Sequence, residues 1–112
     1  MAVVIVDNNL TRYHNQSMKA TLIYRHRLDF DDGAILEIVV WRVPQPVAGC
    51  SHSFKYRLFY GQAGQREIGY DNERAKGDHR HRDGVEDVYI FASPEKLIDD
   101  FLTEVEARRA KQ

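Results

Sequence analysis

From residue 20 onward the chain alternates apolar and polar positions with a period of two, the spacing of half-buried strands. Between residues 20 and 30, Leu22, Tyr24, Leu28 and Phe30 share one face with His26, while Arg25, Arg27 and Asp29 share the other. Asp32-Gly33 follows, a pair favoured in type I′ turns because both positions need positive φ. AILEIVVWRV (34–43) is then apolar on both faces apart from Glu37 and Arg42, as a central strand is. These two segments predict a hairpin. PQPVAGCSHS (44–53) reads as a loop, and FKYRLFY (54–60) alternates again, with Phe54, Tyr56, Leu58 and Tyr60 inward and Lys55 and Arg57 outward. REIGYD (66–71) is a shorter strand, and EDVYIFA (86–92) predicts a fifth.

Ser93-Pro94 opens a helix, with Ser as N-cap and Pro at the first helical position, where its missing N–H costs nothing. Leu97, Ile98, Phe101, Leu102 and Val105 form one apolar stripe. The prediction is an α+β domain over residues 18–112: an antiparallel sheet of about five strands with a C-terminal helix on one face. Residues 1–17 read as an N-terminal extension in which AVVIV offers an extra edge strand, and with it a surface on which two copies could pair.

Composition narrows the classes. The chain has 112 residues, enough for one domain with one core. Sixteen basic residues nearly balance seventeen acidic ones, so any polyanion site has to be a local patch. The single cysteine, Cys50, excludes an intrachain disulfide, and no apolar run reaches the ~20 residues of a membrane span. The start lacks a secretory signature, which makes the cytoplasm the expected compartment.

The chemistry concentrates in YDNERAKGDHRH (70–81), read as a connection of ~14 residues where an antiparallel sheet ordinarily needs two to five. If DHRH is extended, His79 and His81 point to one side and Asp78 and Arg80 to the other. Three chemistries suit the set. Phosphodiester cleavage needs a proton acceptor and a proton donor near neutral pH, with cations to hold the phosphate; His79, His81, Arg74, Lys76, Arg80 and Arg82 supply these types. Metal binding would begin from His79 and His81, completed by Asp71, Asp78 or the Cys50/His52 loop. Recognition of a partner's carboxylates or phosphates needs only the cations. Against all three stands a solvated polar loop, whose four basic residues (Arg74, Lys76, Arg80, Arg82) cancel four acidic ones (Asp71, Glu73, Asp78, Asp83). His26 and Trp41 read as core residues, Cys50 as a bystander thiol, and Glu37 as a carboxylate that needs a partner.

VVWRVPQPV (39–47), HSFKYRL (52–58), YDNERAKGDHRH (70–81) and SPEKLIDDFLTEV (93–105), in this order, resemble the TumE-like family of bacterial toxin components. The resemblance covers about residues 18 to 106, and KGDHRH is its most specific part. Ala75 stands where the family pattern leads one to expect glycine. The resemblance implies a type II toxin acting on RNA, restrained by a helix-turn-helix antitoxin. It points to Lys55, Arg57 and Asp71 for binding, to which the loop adds the cation Arg74, and to Lys76, Asp78, His79, Arg80 and His81 for catalysis; no cofactor is expected, and a metal, if any, would sit on His79 and His81. A non-enzymatic docking module is the alternative.

Overall fold

The computed structural model describes the backbone of Ala2–Val3, residues 19–73 and residues 75–111. Its strands are β1 (Ala2–Val3), β2 (Thr21–Asp29), β3 (Ile35–Arg42), β4 (Phe54–Gln62), β5 (Gln65–Asp71), β6 (His79–Arg82) and β7 (Val85–Val88), followed by helix α1 (Pro94–Ala110). The strands lie in chain order in one antiparallel open sheet. The α+β architecture is the one expected, with more strands: six of four residues or longer, and the two-residue β1 beside Arg27 and His26 of β2. The rest of the AVVIV segment lies outside the described residues.

Alternation divides the sheet into two unlike faces. Leu36, Ile38, Val40, Tyr56, Leu58, Tyr60, Ile68 and Tyr70 are buried under α1, which adds Leu97, Phe101 and Val105. His26 belongs to this buried face, as its position on the apolar side of β2 led one to expect. The helix starts as the sequence predicts: the Ser93 hydroxyl accepts the Lys96 N–H at 3.1 Å and Pro94 occupies the first turn. On the opposite face Trp41 packs with Ala20, Val39 and Val43 in a small second cluster. The same face also carries Glu37, Lys55, Arg57 and Asp71, and no helix among the described residues is long and apolar enough to cross a membrane.

Three local expectations are corrected. The β2–β3 turn is a three-residue loop. Gly33 N–H donates to the Phe30 carbonyl (3.0 Å), Phe30 N–H donates to the Ala34 carbonyl (2.9 Å), and only Gly33 has positive φ (91°). This is a type I turn closed by a left-handed glycine, with Asp32 accepting the Ala34 N–H instead of adopting positive φ itself. The two-residue type I′ turn is found at the other Asp-Gly pair, where Asp83 (φ 51°) and Gly84 (φ 86°) join β6 to β7. The polar connection is accordingly not a loop throughout: HRHR forms β6, paired with β5. Finally, the last strand is Val85–Val88 rather than 86–92; Tyr89 is buried and Phe91 is partly buried against the core from an irregular segment.

Candidate functional site

Strand β6 is what assembles the site. Its register sets His81 opposite Gly69 and Glu86, and His79 opposite Asp71 and Val88. Directly opposed residues share a face, so both imidazoles stand on the face away from α1. Lys55, Arg57 and Asp71 stand on it too, because their neighbours Tyr56, Leu58 and Tyr70 are in the core. Arg57, Arg66, Asp71, Glu73, Lys76, His81, Gly84 and Glu86 line a cavity of about 400 Å³. Lys55 reaches it through Glu73 (3.3 Å), and His79 borders it through Glu86.

Two of the sequence-predicted residues leave this group. Arg80 points to the helix face, where its guanidinium takes Asp87 in a two-pronged pair (3.2 and 2.8 Å). That bond to Asp87 raises the Arg80 pKa above its ordinary value, and Arg80 in turn holds the Asp87 carboxyl below the usual range. Asp78 is turned inward, accepting the Tyr56 hydroxyl at 2.5 Å and bonded to His52 at 2.8 Å. Arg80 thereby fastens the β6–β7 hairpin, and Asp78 ties the loop before β6 to Tyr56 and His52. Arg74 lies outside the described residues.

Sequence reading missed two residues that matter here. Strict alternation assigns Arg66 to the buried face of Ile68. A bulge intervenes: Tyr60 pairs with Ile68 but Gly61 pairs with Arg66, leaving Glu67 as the extra residue and carrying Arg66 to the polar face. There its side chain lies across Gly69, where a Cβ would stand 2.4 Å from Arg66 Cδ. The bare glycine makes room for Arg66 Nη2 to come within 3.0 Å of His81 Nδ1 and for Nη1 to approach Asp71 at 3.7 Å. Glu86 was the other omission. Its carboxylate lies 3.0 Å from His79 Nδ1, 3.8 Å from His81 Nε2 and 3.9 Å from Lys76 Nζ. The signal for it was the Asp83-Gly84 turn, which folds Glu86 back onto His81.

The proton positions follow from these partners. A guanidinium only donates, so His81 Nδ1 accepts from Arg66 and the ring proton sits on Nε2, 3.4 Å from Asp71 Oδ2. Burial and the Arg66 charge lower the His81 pKa, against the opposing pull of Asp71 and Glu86. His81 is therefore a neutral imidazole near pH 7, held between a cation and a carboxylate. His79 Nε2 donates to the Lys76 carbonyl at 2.8 Å, which directs Nδ1 toward Glu86. The cavity's three cations (Arg57, Arg66, Lys76) match its three carboxylates (Asp71, Glu73, Glu86), and Arg57 is also 3.5 Å from Glu37.

A second cluster lies where the 44–53 loop meets the 72–78 loop. Cys50 Sγ, a His52 nitrogen and an Asp78 oxygen lie within 4.8 Å of one another, a donor set that zinc would accept. The tautomer argues against it. His52 Nδ1 accepts the Phe54 N–H (3.2 Å), so Nε2 carries the proton that faces Asp78. Binding a metal through Nε2 would move that proton onto Nδ1, against the Phe54 N–H. Burial raises the Cys50 thiol above its ordinary pKa, which also keeps it protonated. These residues form a structural clasp: the fully buried Asn72 accepts the Tyr56 N–H (3.0 Å) and donates to the Phe54 carbonyl (2.7 Å) and to Cys50 Sγ (3.5 Å).

A family model described as "Toxin TumE" matches residues 3–109, so the match begins inside the segment that sequence reading set apart as an extension. No curated protein and no solved structure matches the chain.

Proposed function

The chain belongs to the TumE toxin family, and we propose that it acts on RNA as a metal-independent endoribonuclease, the toxin of a type II pair held in check by a helix-turn-helix antitoxin. The observation that carries the reading is His81: a neutral imidazole in the wall of a cavity, with Arg66 on one nitrogen and Asp71 beside the other. An RNA phosphate entering the cavity competes with the carboxylates for Arg57, Arg66 and Lys76. When Arg66 turns to the phosphate, it uncovers the Nδ1 lone pair beside the ribose. His81 then takes the proton of the 2′-hydroxyl while Asp71 stabilises the imidazolium that forms. The 2′-oxygen bonds to phosphorus, the bond to the 5′-oxygen breaks, and His79, entering this step as an imidazolium with Nδ1–H toward Glu86, gives that proton to the leaving oxygen and ends neutral. The products are a 2′,3′-cyclic phosphate and a 5′-hydroxyl. Charged hydrogen bonds are worth about 1.5–3 kcal/mol each, so Arg66→Ala should slow cleavage by one to two decades.

The test compares wild type with the His79→Ala/His81→Ala double variant, in cells by growth and in vitro on RNA with a chelator present. General acid and base together supply about two decades or more, so the variant should lose both toxicity and cleavage. If it stays as toxic as wild type, the assignment fails. The one-for-one matching of cations and carboxylates favours a second reading, a module that arrests growth by docking a protein. In that case the purified chain leaves RNA intact and still inhibits growth.

A further inference from the structure

The sheet ends at β7, and among the described residues no strand pairs with its outer side. All four of its residues are exposed. Val85 and Val88, and Ile90 just beyond, show 68%, 66% and 80% of their surface. A free edge presents outward N–H and C=O groups that accept another strand, and a bare edge with large aliphatic side chains is a contact surface or a hazard. The register ties this edge to the cavity. Glu86 lies across from His81 and Val88 across from His79, so a strand added to β7 would run along the cavity's lip.

We propose that β7 receives an extended segment of the antitoxin as an additional strand, which closes the cavity from this edge. The proposal rests on reading the chain as a toxin with a protein antitoxin. Charge decides against a second copy as the occupant. A symmetric antiparallel pair sets one residue against its own duplicate, and at the centre of β7 that residue is Glu86 or Asp87. Like charges directly opposite are unfavourable. A segment with a basic residue opposite Glu86 and apolar residues over Val88 and Ile90 meets complementary charge and buries the aliphatics. The fitting partner is therefore an extended stretch that carries, at every second position along one face, a basic residue followed by apolar ones, bound mainly through its backbone.

The experiment uses the full chain and the antitoxin encoded beside its gene. Amide exchange at residues 85–90 should slow on complex formation. Val88→Lys and Ile90→Lys should each weaken binding about tenfold or more, because they set a cation against the segment's apolar residues, and should bring growth arrest back during co-expression. A complex that leaves exchange at 85–90 unchanged overturns the proposal. So does equally tight binding by both variants, no binding by wild type, or self-association of wild type that Val88→Lys abolishes. Cleavage of RNA by the free chain, measured separately, judges the reading of the cavity, since Val88 and Ile90 do not line it.

Discussion

Ala75 shows how one side chain can strain a loop. Its φ is 60°, in the left-handed region that glycine occupies freely and alanine does not. The sequence pattern led one to expect glycine at this position, and the backbone supplies the reason. Ala75→Gly should therefore stabilise the chain by about 1 kcal/mol, the usual penalty for a Cβ in this conformation, less the extra freedom glycine gives the unfolded chain. Urea denaturation measures it, and an unchanged or lower midpoint would mean the loop has already relaxed around the methyl group. Lys76 is the next residue, so the same variant tests whether this bend sets where its ammonium enters the cavity.

Among the elements, the β6–β7 hairpin carries the site and was the hardest to foresee. HRHR has no apolar face, so its alternation carries no burial signal; what makes it a strand is Tyr70 and Asp71 on one side and the Asp83-Gly84 turn on the other. Tyr89, Ile90 and Phe91 read as strand because they are apolar, yet the strand ends at Val88: the Tyr89 N–H still reaches the Asp78 carbonyl, one step further along the same register, while its hydroxyl turns to Asp100. By contrast β2, β3, β4 and α1 were plain in the sequence, because burial on one face or both fixes their period. The face shared by His79 and His81 followed from the period of two once the segment was extended. Arg66 could not be read, because a bulge breaks that period. The clasp that holds the loop before β6 depends on Asn72. Asn72→Ala leaves the Tyr56 N–H and the Phe54 carbonyl without this partner in the interior, at a cost of about 1–3 kcal/mol for each group so orphaned. A loss below about 1 kcal/mol in chemical denaturation would show that water replaces the amide.

Across the whole molecule, one face of the sheet is covered by the helix, and the other carries the small Trp41 cluster and the polar cavity. Helix α1 covers the first and is tied down at its far end, where Arg108 reaches Glu67 and Asp83 and Arg109 lies 3.6 Å over Phe30. The uncovered face holds His81, and this gives stability a distinctive dependence on pH. In the folded chain the His81 pKa lies below 6.5, through burial and Arg66; in the unfolded chain it returns to about 6.5. Below that value the unfolded state binds the proton first. Stability is therefore full above about pH 6.5 and falls as pH drops through the folded pKa. The carboxyls of Asp32, Asp87 and Asp100 are also held below their ordinary 3.8, but their contribution is lost only in a separate, more acidic window. Denaturation at about pH 7.5 and about pH 5.5 isolates the histidine window. His81→Gln keeps a polar side chain but cannot titrate, so it should lose less stability than wild type between these two values. An equal loss in both proteins would mean that His81 takes up its proton in the fold as readily as in water, and a neutral base between Arg66 and Asp71 would no longer be tenable.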